Sequence, residues 1–154
     1  MLSCIILESL HITIKPLNRY YHKVQIDEVW SYVGNKQKKV WLLYAYCAQT
    51  DEILAFAMGK RNSKTVRNLL LKLKGLEIDF FLTDDWKAFK AALPYYQHLI
   101  GKQFTKAIEG VNTWFRTRLR RLVRRTTCFS KRLLYHHAII KLAIFKRNQR
   151  ASYI

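Results

Sequence analysis

The sequence predicts an α/β domain on a mixed five-stranded sheet: three antiparallel strands, then helix, strand, helix, strand and helix, with an extra basic C-terminal helix. Three observations predict it. Half of the 154 residues are hydrophobic, which suits one domain with a buried core. Alternating runs rich in Val, Ile, Trp and Tyr fill the first third of the chain. Apolar stripes at three-to-four spacing then alternate with one short, wholly apolar segment.

The elements follow in order. Residues 22–33 (HKVQIDEVWSYV) alternate as a strand, Gly34 and Asn35 punctuate, and the KQKK run makes a solvated hairpin tip. Val40–Ala48 and Ile53–Met58 are two further strands joined by the polar turn Gln49–Glu52. Asn62 or Ser63 caps a helix running to about Lys74, with Val66, Leu69, Leu70 and Leu73 on one face. Glu77–Thr83 is a buried central strand, Trp86–Leu93 a short helix stopped by Pro94, and Tyr96–Ile100 a fifth strand. A long helix is expected from about Thr105 to Arg125, striped by Ile108, Val111, Phe115, Leu119 and Leu122. A last helix spans about Ser130 to Asn148, with Ser130 as its cap. That order matches the ribonuclease-H-like fold, though fold alone does not assign function. Residues 1–21 are read as an N-terminal extension, 22–126 as the catalytic domain and 127–154 as a basic helical extension.

Composition narrows the partners. There are 28 basic and 10 acidic residues, a net of +18, and such a surface seeks a polyanion, with nucleic acid first in line. Residues 101–150 alone hold 14 Lys or Arg against one acid, Glu109, a net of +13. Cys4, Cys47 and Cys128 are scattered and odd in number, suggesting neither a zinc site nor a disulfide framework, and a reducing cytoplasm fits. Met1–Ile14 is apolar but lacks a basic leader and a cleavage site, and no run is long enough to span a bilayer. The expected location is the cytoplasm, on the nucleoid when DNA is bound.

The few acids are placed informatively. Asp27 stands mid-strand among Val24, Ile26, Val29 and Trp30, where Asp is disfavoured. Asp84 closes the apolar fourth strand, and strand ends present reactive groups to clefts. Glu109 opens the long helix. If the first and fourth strands are neighbours under that helix, the three carboxylates converge, and their repulsion calls for a divalent cation. Oxygen ligands without a His or Cys cluster favour Mg²⁺ or Mn²⁺. Each acid also has a plainer reading: an ion pair with a nearby Lys for Asp27 or Glu28, a helix cap for Asp84, a dipole-favoured first-turn acid for Glu109. Asp85 is expected to be the better cap, leaving Asp84 available.

The strings IDEVWSYVG (26–34), WLLYAY (41–46), GKR (59–61), LTDDW (82–86), IEGVN (108–112) and RLVRRTTCFSK (121–131), with His98, Lys102, Thr105 and Arg116, resemble the transposase of insertion sequence one and its relatives. The likeness runs from about Ile26 to Phe145, with Asp85 where relatives usually carry Gly. The resemblance implies a DDE-type enzyme with its acidic triad on Asp27, Asp84 and Glu109. It further implies two Mg²⁺ (or Mn²⁺) ions, ~3.5–4 Å apart in sites of this kind, and in-line attack at phosphorus that cleaves and then joins DNA strands. Double-stranded DNA, both element ends and target, is the implied partner, with a homo-oligomer assembled on it. Full-length relatives carry an upstream zinc-binding segment and a helix-turn-helix, which the first residues here do not match, so the chain reads as a downstream product or a truncated copy. The other classes open to such acids and charge are a ribonuclease-H-like nuclease or resolvase that only hydrolyses, and a DNA-binding fragment without activity of its own.

Arg116, Arg120 and Arg124 would share a helix face beside Asn112 and Glu109, with Arg118, Arg121 and Arg125 flanking, and Lys102 and Lys131 join them as phosphate contacts. Asn112 shares the face of Glu109; it either orients a metal-bound water or phosphate, or only satisfies local hydrogen bonds. Trp86 either stacks on an unpaired base or packs in the core.

Overall fold

The computed structural model describes residues 2–123, 125 and 127–151, the side chains at 2, 3, 104 and 151 excepted. It runs α1 (Leu2–His11), β1 (Tyr20–Tyr32), β2 (Lys39–Cys47), β3 (Glu52–Gly59), α2 (Ser63–Leu73), β4 (Glu77–Thr83), α3 (Lys87–Ala92), β5 (His98–Ile100), α4 (Lys106–Arg118) and α5 (Leu133–Ala151). The sheet order is β3-β2-β1-β4-β5, with β1–β2 and β2–β3 antiparallel and β1–β4 and β4–β5 parallel. This is the mixed five-stranded, ribonuclease-H-like arrangement expected from the sequence.

Two apolar clusters use the two faces of the sheet. Val24 and Ile26 of β1 pack with Leu43, Val66, Leu69 and Phe89, so α2 and α3 cover one side. Val29 packs with Tyr44, Phe56, Ile108, Val111, Phe115, Ile140 and Ile144, so α4 and α5 cover the other. Side chains alternate along a strand, so Asp27 faces α4 with Val29 while Glu28 faces α2. The hairpin after β1 turns at Gly34, whose φ of +80° favours glycine, and Asn35 Oδ1 accepts the amides of Gln37 and Lys38.

Several boundaries differ from expectation. The long helix stops at Arg118; Leu119 is extended (φ −115°, ψ 94°) and Arg120–Leu122 form a 3₁₀ turn. The turn carries Leu122 into the α4/α5 cluster, where it is fully buried. Burying a Leu contributes about 2 kcal/mol, well beyond the few tenths of a kcal/mol per residue that helix propensity offers. Arg120 therefore leaves the face it was expected to share with Arg116, and Arg124 lies outside the described residues. The last helix begins at Leu133, and Ser130 is not its cap but pairs with Val33 of the first hairpin. Strand β5 is trimmed to His98–Ile100 because Tyr95–Gln97 turn as 3₁₀.

The first helix was not foreseen. It lies against α5, where Lys141 Nζ donates to the Ser9 carbonyl at 2.8 Å. Among the described residues no helix is long and apolar enough to cross a membrane.

Candidate active site

Asp27 and Asp84 are brought level by strand register. The parallel pairing of β1 with β4 matches Val24 with Phe81 and Gln25 with Leu82. Carried two residues further, the same offset sets Asp27 beside Asp84, just where β4 ends. The apolar sequence of β4 holds it at the sheet centre, with Leu82 and Thr83 buried, so its acid emerges at a rigid edge.

Asp27 is half-buried and well bonded. Its Oδ1 accepts the Glu28 amide at 2.8 Å and its Oδ2 accepts Asn112 Nδ2 at 2.6 Å. Behind Asn112, the buried Tyr44 hydroxyl donates to Asn112 Oδ1 at 2.6 Å and lies 3.3 Å from the Ile108 carbonyl. With Oδ1 so engaged, the Asn112 amide has one orientation and must offer its nitrogen to Asp27. Burial pushes the Asp27 carboxyl above the usual carboxylate range; its two hydrogen bonds oppose this, and the charges of Asp84 and Glu109 add to it. Glu109 is exposed and sits one helical turn before Asn112 on α4, so it belongs to the same group electrostatically.

The second side of the strand carries a different pair. Arg61 grips Glu28 Oε1 through Nε at 3.0 Å and Nη2 at 2.7 Å, and its guanidinium lies 4.2 Å from the Trp86 ring centre. Burial raises the Glu28 carboxyl, Arg61 opposes this, and Asp84 and Asp27 add to it. Glu28 Oε2 is buried with no hydrogen-bond partner among the described residues.

The sequence-derived residues divide accordingly. The charges of Asp84 and Glu109 both act on Asp27, and none of the three enters an ion pair among the described residues. As they stand, no three His, Cys, Asp or Glu side chains among the described residues form a set that holds a metal ion. Asp85 is not the cap: it pairs with Lys90, while Asp84 Oδ1 accepts the Trp86 amide at 3.1 Å. Trp86 is partly buried, packing edge-on against Phe89 with centroids 5.0 Å apart and with Arg61 over one ring face. Asn112 serves Asp27 directly. Arg116, Arg120, Lys102 and Lys131 are exposed, and Arg121 is half-buried with Nη1 donating to Ser130 Oγ at 3.0 Å.

Three features escaped the sequence reading. Tyr44 looked like one more strand aromatic, and Arg61 like a loop cation. His98 was unassigned; its Nε2 lies 2.6 Å from Thr83 Oγ1, which donates to the Asp84 carbonyl at 2.7 Å, so it steadies the turn bearing Asp84. A further buried relay joins the ends of the domain: Ser130 Oγ is 2.8 Å from His136 Nδ1, and Ser31 Oγ is 3.0 Å from His136 Nε2. Tyr44, His98 and His136 carry the signal of a polar group within a largely apolar run, which names a residue without naming its partner; Arg61, within GKRNSK, carries none.

Comparison with known proteins gives a consistent result. The family model described as IS1 transposase matches residues 23–149. The chain is 41% identical over 122 residues to the insertion element iso-IS1n protein InsB of Shigella dysenteriae, covering 79% of this chain and 93% of that protein. It is 35% identical over 116 residues to the insertion element IS1 protein InsB of Shigella flexneri, covering 75% and 88% respectively. The insertion element IS1 1 protein InsB of Escherichia coli K12 is 32% identical over 133 residues, covering 86% and 80%.

Proposed function

Since the chain belongs to the IS1 transposase family, we propose that it is the catalytic part of a DDE-type transposase, cleaving and joining DNA strands in a Mg²⁺-dependent reaction at Asp27, Asp84 and Glu109. One observation carries the reading: Asp27, level with Asp84 across the β1–β4 register, is bonded to Asn112 of the helix that bears Glu109.

The chemistry of the donor set fits a pair of hard divalent cations. The charges of Asp84 and Glu109 oppose the ionisation of Asp27, none of the three pairs with Lys or Arg among the described residues, and oxygen donors alone select Mg²⁺ or Mn²⁺. Glu109 is exposed and turns on ordinary side-chain rotation, Asp84 is exposed with Oδ1 accepting the Trp86 amide, and Asp27 is fixed through both oxygens. Such ions supply Lewis-acid stabilisation of the attacking and departing oxygens in an in-line displacement at phosphorus.

The chain's own residues do the rest. Asn112 and the Glu28 amide hold both Asp27 oxygens in place, and Tyr44 keeps Asn112 from flipping. Arg116, Arg120, Arg121, Lys102 and Lys131 line up as contacts to the sugar-phosphate backbone of double-stranded element ends and target, binding that carries little sequence information. A homo-oligomer on DNA and residence on the cytoplasmic nucleoid complete the proposal.

The test is incubation of the purified chain with end-labelled DNA spanning the borders of its element, with Mg²⁺ or EDTA. Mg²⁺-dependent nicks followed by joined products are expected. Nicks without joining indicate a hydrolytic nuclease, and binding without nicks a DNA-binding fragment.

A further inference from the structure

Arg121, Phe129, Lys131, Arg132 and Tyr135 line a hollow of about 510 Å³ between the 3₁₀ turn after α4 and the start of α5. Among the described residues it holds three cations, two aromatic rings and no acid. A surface that only follows duplex backbone needs charge, because the phosphates lie outside and the base faces are hidden in the stack. Rings set among cations suit a different ligand, a nucleotide whose base has left the stack. We propose that this hollow receives one unstacked nucleotide of the DNA on which the enzyme acts, its base against Tyr135 and Phe129 and its phosphate against Arg121, Lys131 and Arg132. The assignment rests on the transposase reading above and adds a binding site to it.

The hollow is anchored from behind. Phe129 packs on Tyr32 of β1, with ring centroids 5.3 Å apart and planes at 37°. Arg121 is held by Ser130 Oγ, which is buried and bonded to His136, and His136 to Ser31 of β1. Gly34 N donates to the Ser130 carbonyl at 2.8 Å, closing the segment onto the hairpin. Both supports, Ser31 and Tyr32, therefore stand on the strand that carries Asp27, four and five residues on. At about 3.3 Å per residue that is roughly 13–17 Å, or about four base-pair steps of stacked duplex at 3.4 Å each. The nucleotide seated there lies a few positions from the phosphate at Asp27, and its capture fixes the register of the strand in the site.

The experiment compares two 20-mer duplexes of one arbitrary sequence, one fully paired and one carrying a single bulged 2-aminopurine, titrated with the full chain. The wild type is expected to bind the bulged duplex roughly tenfold more tightly, with a change in 2-aminopurine fluorescence as the base is seated. Tyr135→Ala is expected to lose that preference and the fluorescence change, and to bind the paired duplex as the wild type does. Tyr135→Phe keeps the ring and is expected to retain both, which separates stacking from folding. Equal wild-type affinity for the two duplexes overturns the hollow as a nucleotide site and leaves the transposase reading standing. A preference that survives Tyr135→Ala overturns it as well. Failure to bind either duplex overturns both.

Discussion

Asn112 on α4 donates its side-chain amide to Asp27 Oδ2 on β1 at 2.6 Å, across 85 residues of chain, and this bond is the one direct link between the helix and the carboxylates of the sheet among the described hydrogen bonds. Asn112→Ala removes it, leaves the half-buried Asp27 Oδ2 without its donor, and leaves the Tyr44 hydroxyl only the Ile108 carbonyl at 3.3 Å. Leaving a buried polar group unsatisfied costs about 1–3 kcal/mol, so chemical denaturation is expected to show a loss in that range. Cleavage is expected to fall with DNA affinity unchanged, which gel-shift and nicking assays on the same variant measure together.

The carboxylates are expected to behave as a set. Asp27→Asn, Asp84→Asn or Glu109→Gln should abolish cleavage while DNA binding persists or rises. Cleavage that survives any one of these substitutions removes that residue from the set. Calorimetry gives a readout without activity: millimolar Mg²⁺ should raise the wild-type Tm by roughly 3 °C and leave Asp27→Asn unmoved. Asp27 has its folded pKa raised, chiefly by burial. Its contribution to stability is therefore complete below its unfolded pKa and is lost as pH rises through the folded value. Bound Mg²⁺ is expected to flatten that decline.

His136 has the opposite sign. Burial first, then the charge of Arg121, lowers its pKa to about 4. Arg121 donates to Ser130 Oγ, and His136 lies between Ser130 Oγ at Nδ1 and Ser31 Oγ at Nε2, each hydroxyl able to donate or accept. Protonation makes both ring nitrogens donors and sets a buried cation near Arg121. The unfolded chain takes up that proton near pH 6.5 and the folded one only near 4, so stability present above 6.5 is lost as pH falls between them. The loss is of order 3 kcal/mol. Urea titrations at pH 7 and 5 are expected to show about 2 kcal/mol of it in the wild type and little of it in His136→Gln, once the variant's own pH 7 stability is taken as its baseline.

Exposed cations on and after α4 are expected to act as additive phosphate contacts. Arg116→Ala and Arg120→Ala should each lower the slope of log affinity against log salt by about 1, with folding unaffected. An unchanged slope takes that arginine off the DNA.

How much of this was legible follows from the range of each interaction. The order of strands and helices is written in local periodicity, and Asp27 and Asp84 stand out because an acid inside or at the end of an apolar strand is rare. The break at Leu119 is not local: the run from Ile108 to Leu122 has helical spacing, and only the core around Val29, Phe115 and Ile140 draws Leu122 aside. Tyr44 and His136 read as ordinary members of apolar stretches because their partners are 68 and 105 residues away in the chain. Asp85 lost its expected cap because Lys90 offered it an ion pair while the Asp84 side chain reached the Trp86 amide.

The seating of α5 has a consequence for the order of events on the ribosome. Ile140 and Ile144 complete the core beneath Val29 and Phe56 that α4 begins, and His136 joins Ser31, so this face of the sheet is fully covered only once α5 has emerged. Nascent chains that stop short of α5 leave part of an apolar sheet face open, the kind of surface that aggregates.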